Sequence, residues 1–359
     1  MGYPKHMNSK TIGSLILSCL FCGLFTYGLF YNAYKFHTLE HGGWDEYHYL
    51  KMAADPFNMD VAPAPNVFRQ FGTTIAYLIS KAGIYHETNI NFRHPEIDQR
   101  VFFAMLASNY LALLLTMVTI GRTLSIRVPQ ASFTLSALGG MLFIASWGPV
   151  NFGLTASAEA WTCFFIAVCF HACLTRNRLL FGAMILLSIT QKEIVSIAFT
   201  VFLCCMAWQA EGVLRRRYLQ MLLMSAGAFL IYYFATNHLV EVSVFRDQLV
   251  PEKMPERWRA FTFSKDMLLQ TILLNSIFWT YLATLGLARA RGIAVPADRK
   301  ETIALLATLG AIYVIGMLTG IGANTGRITL VLSPVWAVLT AEMIFRLPLK
   351  ESRHAGEGG

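Results

Sequence analysis

Residues 41–49, His-Gly-Gly-Trp-Asp-Glu-Tyr-His-Tyr, gather two adjacent carboxylates, two histidines and three aromatics just after a long apolar run. On a helix, Asp45 and Tyr49 fall one turn apart on one face, while Glu46 points about 100° away. A carboxylate so placed can act as general base towards an acceptor hydroxyl. Its neighbour can then bind a second hydroxyl or a backbone amide. The same acids also suit the first turn of a helix, where they oppose the positive end of the dipole. Depth favours chemistry, because ionisable groups held at the edge of a bilayer mark functional sites by default.

Other polar residues sit where apolar sequence is interrupted. Gln191-Lys192-Glu193 breaks the run 179–209, and Arg327 precedes the last apolar stretch. A charge near the centre of a spanning helix costs about 2.5–3.5 kcal/mol, so a base at such a break needs a reason. Lys192 and Arg327 are therefore candidate site cations, since preorganised cations stabilise developing negative charge. The alternatives are a local Lys192–Glu193 ion pair and an interfacial anchor at Arg327. Arg69, Arg93 and His94 are further cationic candidates, and Arg257 and Arg259 read as a solvated face. Glu159 follows Ser157 and reads as a helix-start residue after a serine cap, with a functional role as the rival. His171 lies in an apolar run and reads as a packed core histidine. Asp55 and Asp60 are near Asp45, but no Asp-x-Asp occurs there, whereas a metal site wants several converging oxygens. The expectation is metal-independent chemistry with no cofactor.

The elements that must position these residues are membrane helices. Of 359 residues, 55% are hydrophobic and only 14% charged, against about 25% charged in soluble domains. The net charge of +8 does not point to nucleic acid. Its bases come in short clusters between apolar runs, the pattern of membrane topology signals rather than of a basic binding face. All seven cysteines fall inside apolar runs and read as small hydrophobes. The N-terminus, with Lys5, His6 and Lys10, shows no small-residue cleavage site and reads as an uncleaved first helix.

A spanning helix needs about 20 apolar residues. Such runs occur at about 13–34, 101–121, 131–148, 158–174, 179–190, 194–209, 218–237, 267–287, 302–320 and 328–345. With 67–84 taken as an interfacial helix and 191–193 as a break between two spans, sixteen of the 29 basic residues lie in short loops or termini on one side. The short loops opposite hold only Lys192 and Arg327. Short-loop Lys and Arg set orientation, so the sequence predicts an all-α bundle of about ten spans with cytoplasmic termini. It reads as one domain over 1–346 and a cytoplasmic tail over 347–359. Two long outer segments remain, 36–100 and 238–266. In the first, Trp44 to Ala54 predicts a short helix, the Pro56, Pro63 and Pro65 stretch turns the chain, and 67–84 forms a second helix skimming the membrane.

A first span followed by Asp45-Glu46-x-x-Tyr49-x-x-Met52-Ala53 resembles the polytopic GT-C glycosyltransferases that use polyprenyl-phosphate sugars. That group includes the protein mannosyltransferases and aminoarabinose transferases. The likeness continues through Arg69 before an apolar helix ending at Gly83, Arg100 opening the second span and Glu159 opening a later one. It extends to Gln191-Lys192-Glu193 and to Gly326-Arg327 before the last span with Pro334. It covers most of the chain as order and spacing. It departs where many members carry Pro-Pro after the arginine, since Gln70-Phe71-Gly72 stands here.

The resemblance implies that Asp45 is the general base, with Glu46 beside it, and that the anomeric carbon inverts. Tyr49 would help shape the acceptor site, and Arg69, Lys192, Glu193, Arg327 and His94 would line the substrate and phosphate site. The donor would be a polyprenyl-phosphate-linked sugar and the acceptor a hydroxyl on a glycan, lipid or protein. The setting implied is a bacterial plasma membrane with the site facing outward, as in building cell-envelope polysaccharide. Membrane lipids are the remaining expected partners. Two alternatives stay open: a polymerase or ligase moving whole lipid-linked glycans, and a flippase or transporter of lipid-linked sugars. The latter predicts polar residues through the bilayer midplane and broken helices in paired repeats.

Overall fold

The computed structural model describes residues 9–36, 44–62, 66–84, 98–129, 133–238, 255, 265–292, 299–318 and 325–346. His94, Arg93, Arg257, Arg259, most of 238–266 and the tail 347–359 lie outside them. Among the described residues every regular element is helical.

Helix α1 (Ser9–Phe36) leads to α2 (Trp44–Ala54), a 3-10 turn (Asn66–Phe68) and α3 (Gln70–Lys81). The chain continues through α4 (Gln99–Arg127), α5 (Phe133–Ile144), α6 (Trp147–Gly153) and α7 (Glu159–Thr175). Next come α8 (Arg178–Ser188), α9 (Ile194–Gln209) and α10 (Gly212–His238). The last described elements are α11 (Lys265–Leu274), α12 (Ser276–Ala290), α13 (Arg299–Leu318), α14 (Thr325–Thr329), a 3-10 turn (Leu330–Leu332) and α15 (Ser333–Arg346).

Among the described residues three stretches can cross a membrane by length and composition: Gln99–Arg127, Gly212–His238 and Arg327–Arg346. The pair α5 and α6 makes a fourth if their 64° bend is one broken span. Helices α7, α8 and α9 are apolar but shorter. The expected span 131–148 is thus bent rather than straight. Pro149 supplies no N–H to the carbonyl of Ala145, and its ring crowds that carbonyl, which ends α5. The expected span 267–287 is likewise divided, at Asn275, whose amide donates to Thr271 O and Thr329 Oγ1, both at 2.8 Å.

Helix α4 is the hub, packing against α1, α3, α5, α7 and α15. Its contact with α5 is close at Gly121, where an added Cβ would lie 3.1 Å from Ser136 Cβ and 3.7 Å from the Ser136 Cα and carbonyl oxygen. Close approach over small residues is how helices associate where lipid removes the hydrophobic drive. At one end of the hub, Arg127 donates to both Glu301 oxygens at 2.9 Å and to Glu342 at 2.6 Å. Arg346 adds a 2.8 Å bond to Glu342. These pairs tie α4, α13 and α15 together at the end away from α2 and α3. His171 packs in the core as expected, with Thr123 Oγ1 3.1 Å from its Nδ1.

Candidate active site

Helix α2 begins and ends as the sequence predicts, and Asp45 and Glu46 occupy its first turn. Asp45 and Tyr49 share a face. It lies against the 3-10 turn, whose Asn66 Nδ2 donates to Asp45 Oδ1 at 3.3 Å. Arg69 Nη1 donates to the Tyr49 hydroxyl and, at 2.9 Å, to Asn66 Oδ1. Tyr49 is fully buried, so its hydroxyl orients Arg69 from behind. Glu46 is buried as well.

The break after α8 supplies the opposite wall by docking on the start of α3. The first N–H groups of a helix have no partner within it, and Arg69 at the cap gives α3 no side-chain bond. Instead Phe71 N donates to Thr190 O and Gly72 N to Gln191 Oε1, each at 2.9 Å. Gln191 Nε2 reaches Ala158 O at 2.9 Å, joining α3 to the start of α7. A proline at 71 or at 72 would remove one of these donors. Gly72 is also required for space, because a Cβ there would stand 2.7 Å from Trp161 Cδ1.

Docked in this way, Lys192 and Glu193 do not pair with each other. Lys192 Nζ donates to Glu159 Oε1 at 2.7 Å, and Glu193 Oε1 accepts from Arg69 Nη2 at 3.4 Å. Glu159 is the centre of the cation side. Arg327 Nε and Nη2 grip its two oxygens at 2.7 and 3.1 Å, while Arg327 Nη1 reaches Asp45 Oδ2 at 3.1 Å. The guanidinium also lies over the Phe152 ring, 5.3 Å from its centroid. A loop of contacts results: Glu193, Arg69, Asn66, Asp45, Arg327, Glu159, Lys192, and back to Glu193 along the chain. It holds three carboxylates and three cations, so its formal charge is zero.

Two sequence readings change here. Glu159 is no simple helix-start residue behind a serine cap. The α7 cap is Ala158, with no side-chain bond, and Ser157 Oγ donates backward to Phe152 O. Nor is Arg327 an anchor snorkelling to the interface, since its three bonds point inward. Asn66 and Gln191 complete the site, although in the sequence Asn66 carries no role and Gln191 reads only as part of the break at 191–193. Their only signal was a polar side chain flanking a candidate charge at a helix boundary. Tyr232 on α10 stands close enough to Arg69 and Glu193 to feel both charges.

The loop is not evenly open. The Asp45 side chain keeps 37% of its exposure, whereas Glu159 keeps none. Burial pushes the Asp45 carboxyl up and Glu159 adds to that push, but Arg327, Arg69 and Lys192 outweigh them and hold it below its ordinary value. It is therefore ionised at neutral pH. Burial raises the Tyr49 phenol, which stays protonated. For Arg69 burial works downward, yet Tyr49 and the Glu193 carboxylate dominate and raise it. Burial lowers His48 against the pull of Asp45, leaving a neutral imidazole beside the site.

The arrangement offers one accessible carboxylate, with a guanidinium and an ammonium behind it that retain spare donors. Arg327 uses three of its five N–H groups on Glu159 and Asp45, and Lys192 uses one of its three on Glu159. Comparison with protein-family models, curated proteins and solved structures finds no match to this chain.

Proposed function

We infer that this chain is an integral membrane glycosyltransferase of GT-C type. It moves a sugar from a polyprenyl-phosphate carrier to an acceptor hydroxyl, within a bundle of about ten spans whose site faces outward. The observation that carries this reading is the Asp45–Arg327 contact of 3.1 Å, in which the carboxylate is the most open group of the loop.

The charges give the contact a mechanism. An acceptor hydroxyl donates to Asp45 and its oxygen attacks the anomeric carbon from the face opposite the phosphate. The anomeric carbon–oxygen bond to phosphate breaks, and its electron pair stays on the phosphate oxygen. The hydroxyl proton ends on Asp45. One negative charge thus vanishes beside Arg327 as another appears on the leaving phosphate. Arg327, held in place by Glu159, is released to the phosphate without moving, and Lys192 contributes its free donors. Such preorganised stabilisation of developing charge is typically the largest single catalytic effect. Tyr49 and Asn66 act as positioning residues, since both hold Arg69. Proton transfer to a carboxylate with a depressed pKa is weak in the resting loop. It strengthens when the charge of a bound phosphate offsets that of the stationary Arg327, so the base is activated only with donor in place.

The transport alternative draws on a separate observation. Ion pairs close the far end of α4 and α15 as well, at Arg127, Glu301 and Glu342. Two such closures could open in turn to pass a substrate intact. One experiment separates the readings. The purified full chain in vesicles is given a panel of polyprenyl-phosphate hexoses with a glycan acceptor. A transferase releases polyprenyl phosphate and forms an inverted glycosidic bond. Movement of intact donor across the vesicle, with no free polyprenyl phosphate, would replace this reading with transport.

A further inference from the structure

A second charged feature lies at the other end of α8, about 16 Å from the break that carries Lys192, taking 1.5 Å per residue over its 11 residues. There the α7–α8 turn brings Arg176 and Arg178 beside the start of α10 with Arg215, Arg216 and Arg217. The two helices run in register. Arg178 Nη1 donates to Gln220 Oε1, and one turn further on Gly182 lets Met224 Sδ come within 3.3 Å of a would-be Cβ. Gln220 sits one turn beyond Arg216 and Arg217, so those residues and Arg178 share one edge.

This cluster differs from every other arginine group described above. Arg69, Arg127 and Arg327 each meet carboxylates. Among the described residues no carboxylate pairs with any of these five. Neither α8 nor α10 has an acidic residue in its first turn. Glu211, just ahead of α10, pairs with none of the five. Arg178 opens α8 at the positive end of its dipole, where a cation is disfavoured. Arg176 also takes a left-handed backbone, φ 57°, a conformation that favours glycine or asparagine. Next to the arginines stand large apolar side chains turned outward: Leu179 at 87% exposure, Trp208 at 86% and Val213 at 71%. Concentrated positive charge that no carboxylate pairs, bordered by outward apolar groups, is complementary to a lipid with an anionic head and apolar tails.

We propose that the α7–α8 turn and the start of α10 form a binding site for the headgroup of an anionic phospholipid. The phosphate bridges Arg178 to the α10 arginines, while Leu179, Trp208 and Val213 rest against the acyl chains. The site is independent of the reaction at Asp45.

The test is native mass spectrometry of the purified full chain, incubated with equimolar dioleoyl phosphatidylglycerol and dioleoyl phosphatidylcholine. The wild type is expected to retain phosphatidylglycerol preferentially. Each arginine near an anionic surface contributes about fivefold in affinity, so Arg176→Gln/Arg178→Gln/Arg216→Gln should weaken phosphatidylglycerol binding on the order of 100-fold. Phosphatidylcholine binding should not change. A charge-matched control, Arg122→Gln/Arg289→Gln/Arg291→Gln, should stay within a few fold of wild type. Equal retention of both lipids by the wild type, or an equal loss in the control, overturns the proposal. Should the triple variant not fold, the exposed Arg216→Gln alone decides: about fivefold weaker binding supports the site, and wild-type affinity overturns it.

Discussion

Glu159→Gln is the most informative perturbation of the buried loop. The side chain is fully buried and accepts three charge-assisted bonds, from Arg327 at 2.7 and 3.1 Å and from Lys192 at 2.7 Å. Glutamine keeps the volume but offers one acceptor oxygen, and its NH2 would meet an N–H of the guanidinium head-on. Bonds to charged groups are worth about 1.5–3 kcal/mol each, and three of them summed would rival the whole stability of a domain, about 5–15 kcal/mol. That sum is too large, because the loop relaxes as a unit. Removing one partner of a buried pair costs about 3–5 kcal/mol, and this is the expected loss in reversible unfolding of the full chain in mixed micelles. Lys192→Met in the same background removes a stranded cation. The double variant should therefore be more stable than the sum of the two single losses by about 1–3 kcal/mol. A Glu159→Gln protein within about 0.5 kcal/mol of wild type, or a cycle that is simply additive, would refute the picture of Glu159 as the counter-ion of both bases.

Further expectations use the same unfolding assay. Gly72→Ala places a methyl 2.7 Å from Trp161 Cδ1 and should cost about 1–3 kcal/mol by overpacking. Gln191→Ala orphans the buried Gly72 N–H and should cost about 1–3 kcal/mol, while Thr190→Ala, whose backbone carbonyl does the capping, should cost little. The Asp45 carboxyl is depressed in the folded chain, so its contribution is present above the unfolded value near 4 and is lost as pH falls through the lower folded value. Stability should thus be insensitive to this group between pH 5 and 8, and Asp45→Asn should flatten part of the fall below about pH 4. At the far end of α4, Arg127→Met removes the cation shared by Glu301 and Glu342 and should cost about 3–5 kcal/mol.

Local features were legible in the sequence. Gly42-Gly43 and Asp55-Pro56 bracket α2, and a polar triplet between two apolar runs marks the break at 191–193. Pairing was not legible. Lys192 and Glu193 are neighbours that choose partners 33 and 124 residues away, and only the docking of Thr190 and Gln191 on α3 decides this. Asp45 and Arg327 lie 282 residues apart, and no pattern along the chain links them. Ser157 has the right type and position for a cap. It is drawn away because Asn109 holds the Thr155 and Ser157 carbonyls and folds that connection back on itself. Spans misread where a single residue bends them, at Pro149 and Asn275, because composition averages over such positions.

In the proposed reaction Asp45 takes the acceptor proton while the charge of Arg327 serves the departing phosphate. The measurement that tests it most directly is sugar transfer from labelled polyprenyl-phosphate hexoses by wild-type and Asp45→Asn protein, in vesicles and at matched folded amounts. Loss of a general base lowers rate by about 10²–10⁴. The account predicts a fall of that size in turnover, with donor still bound. Comparable label in product from both proteins would contradict it.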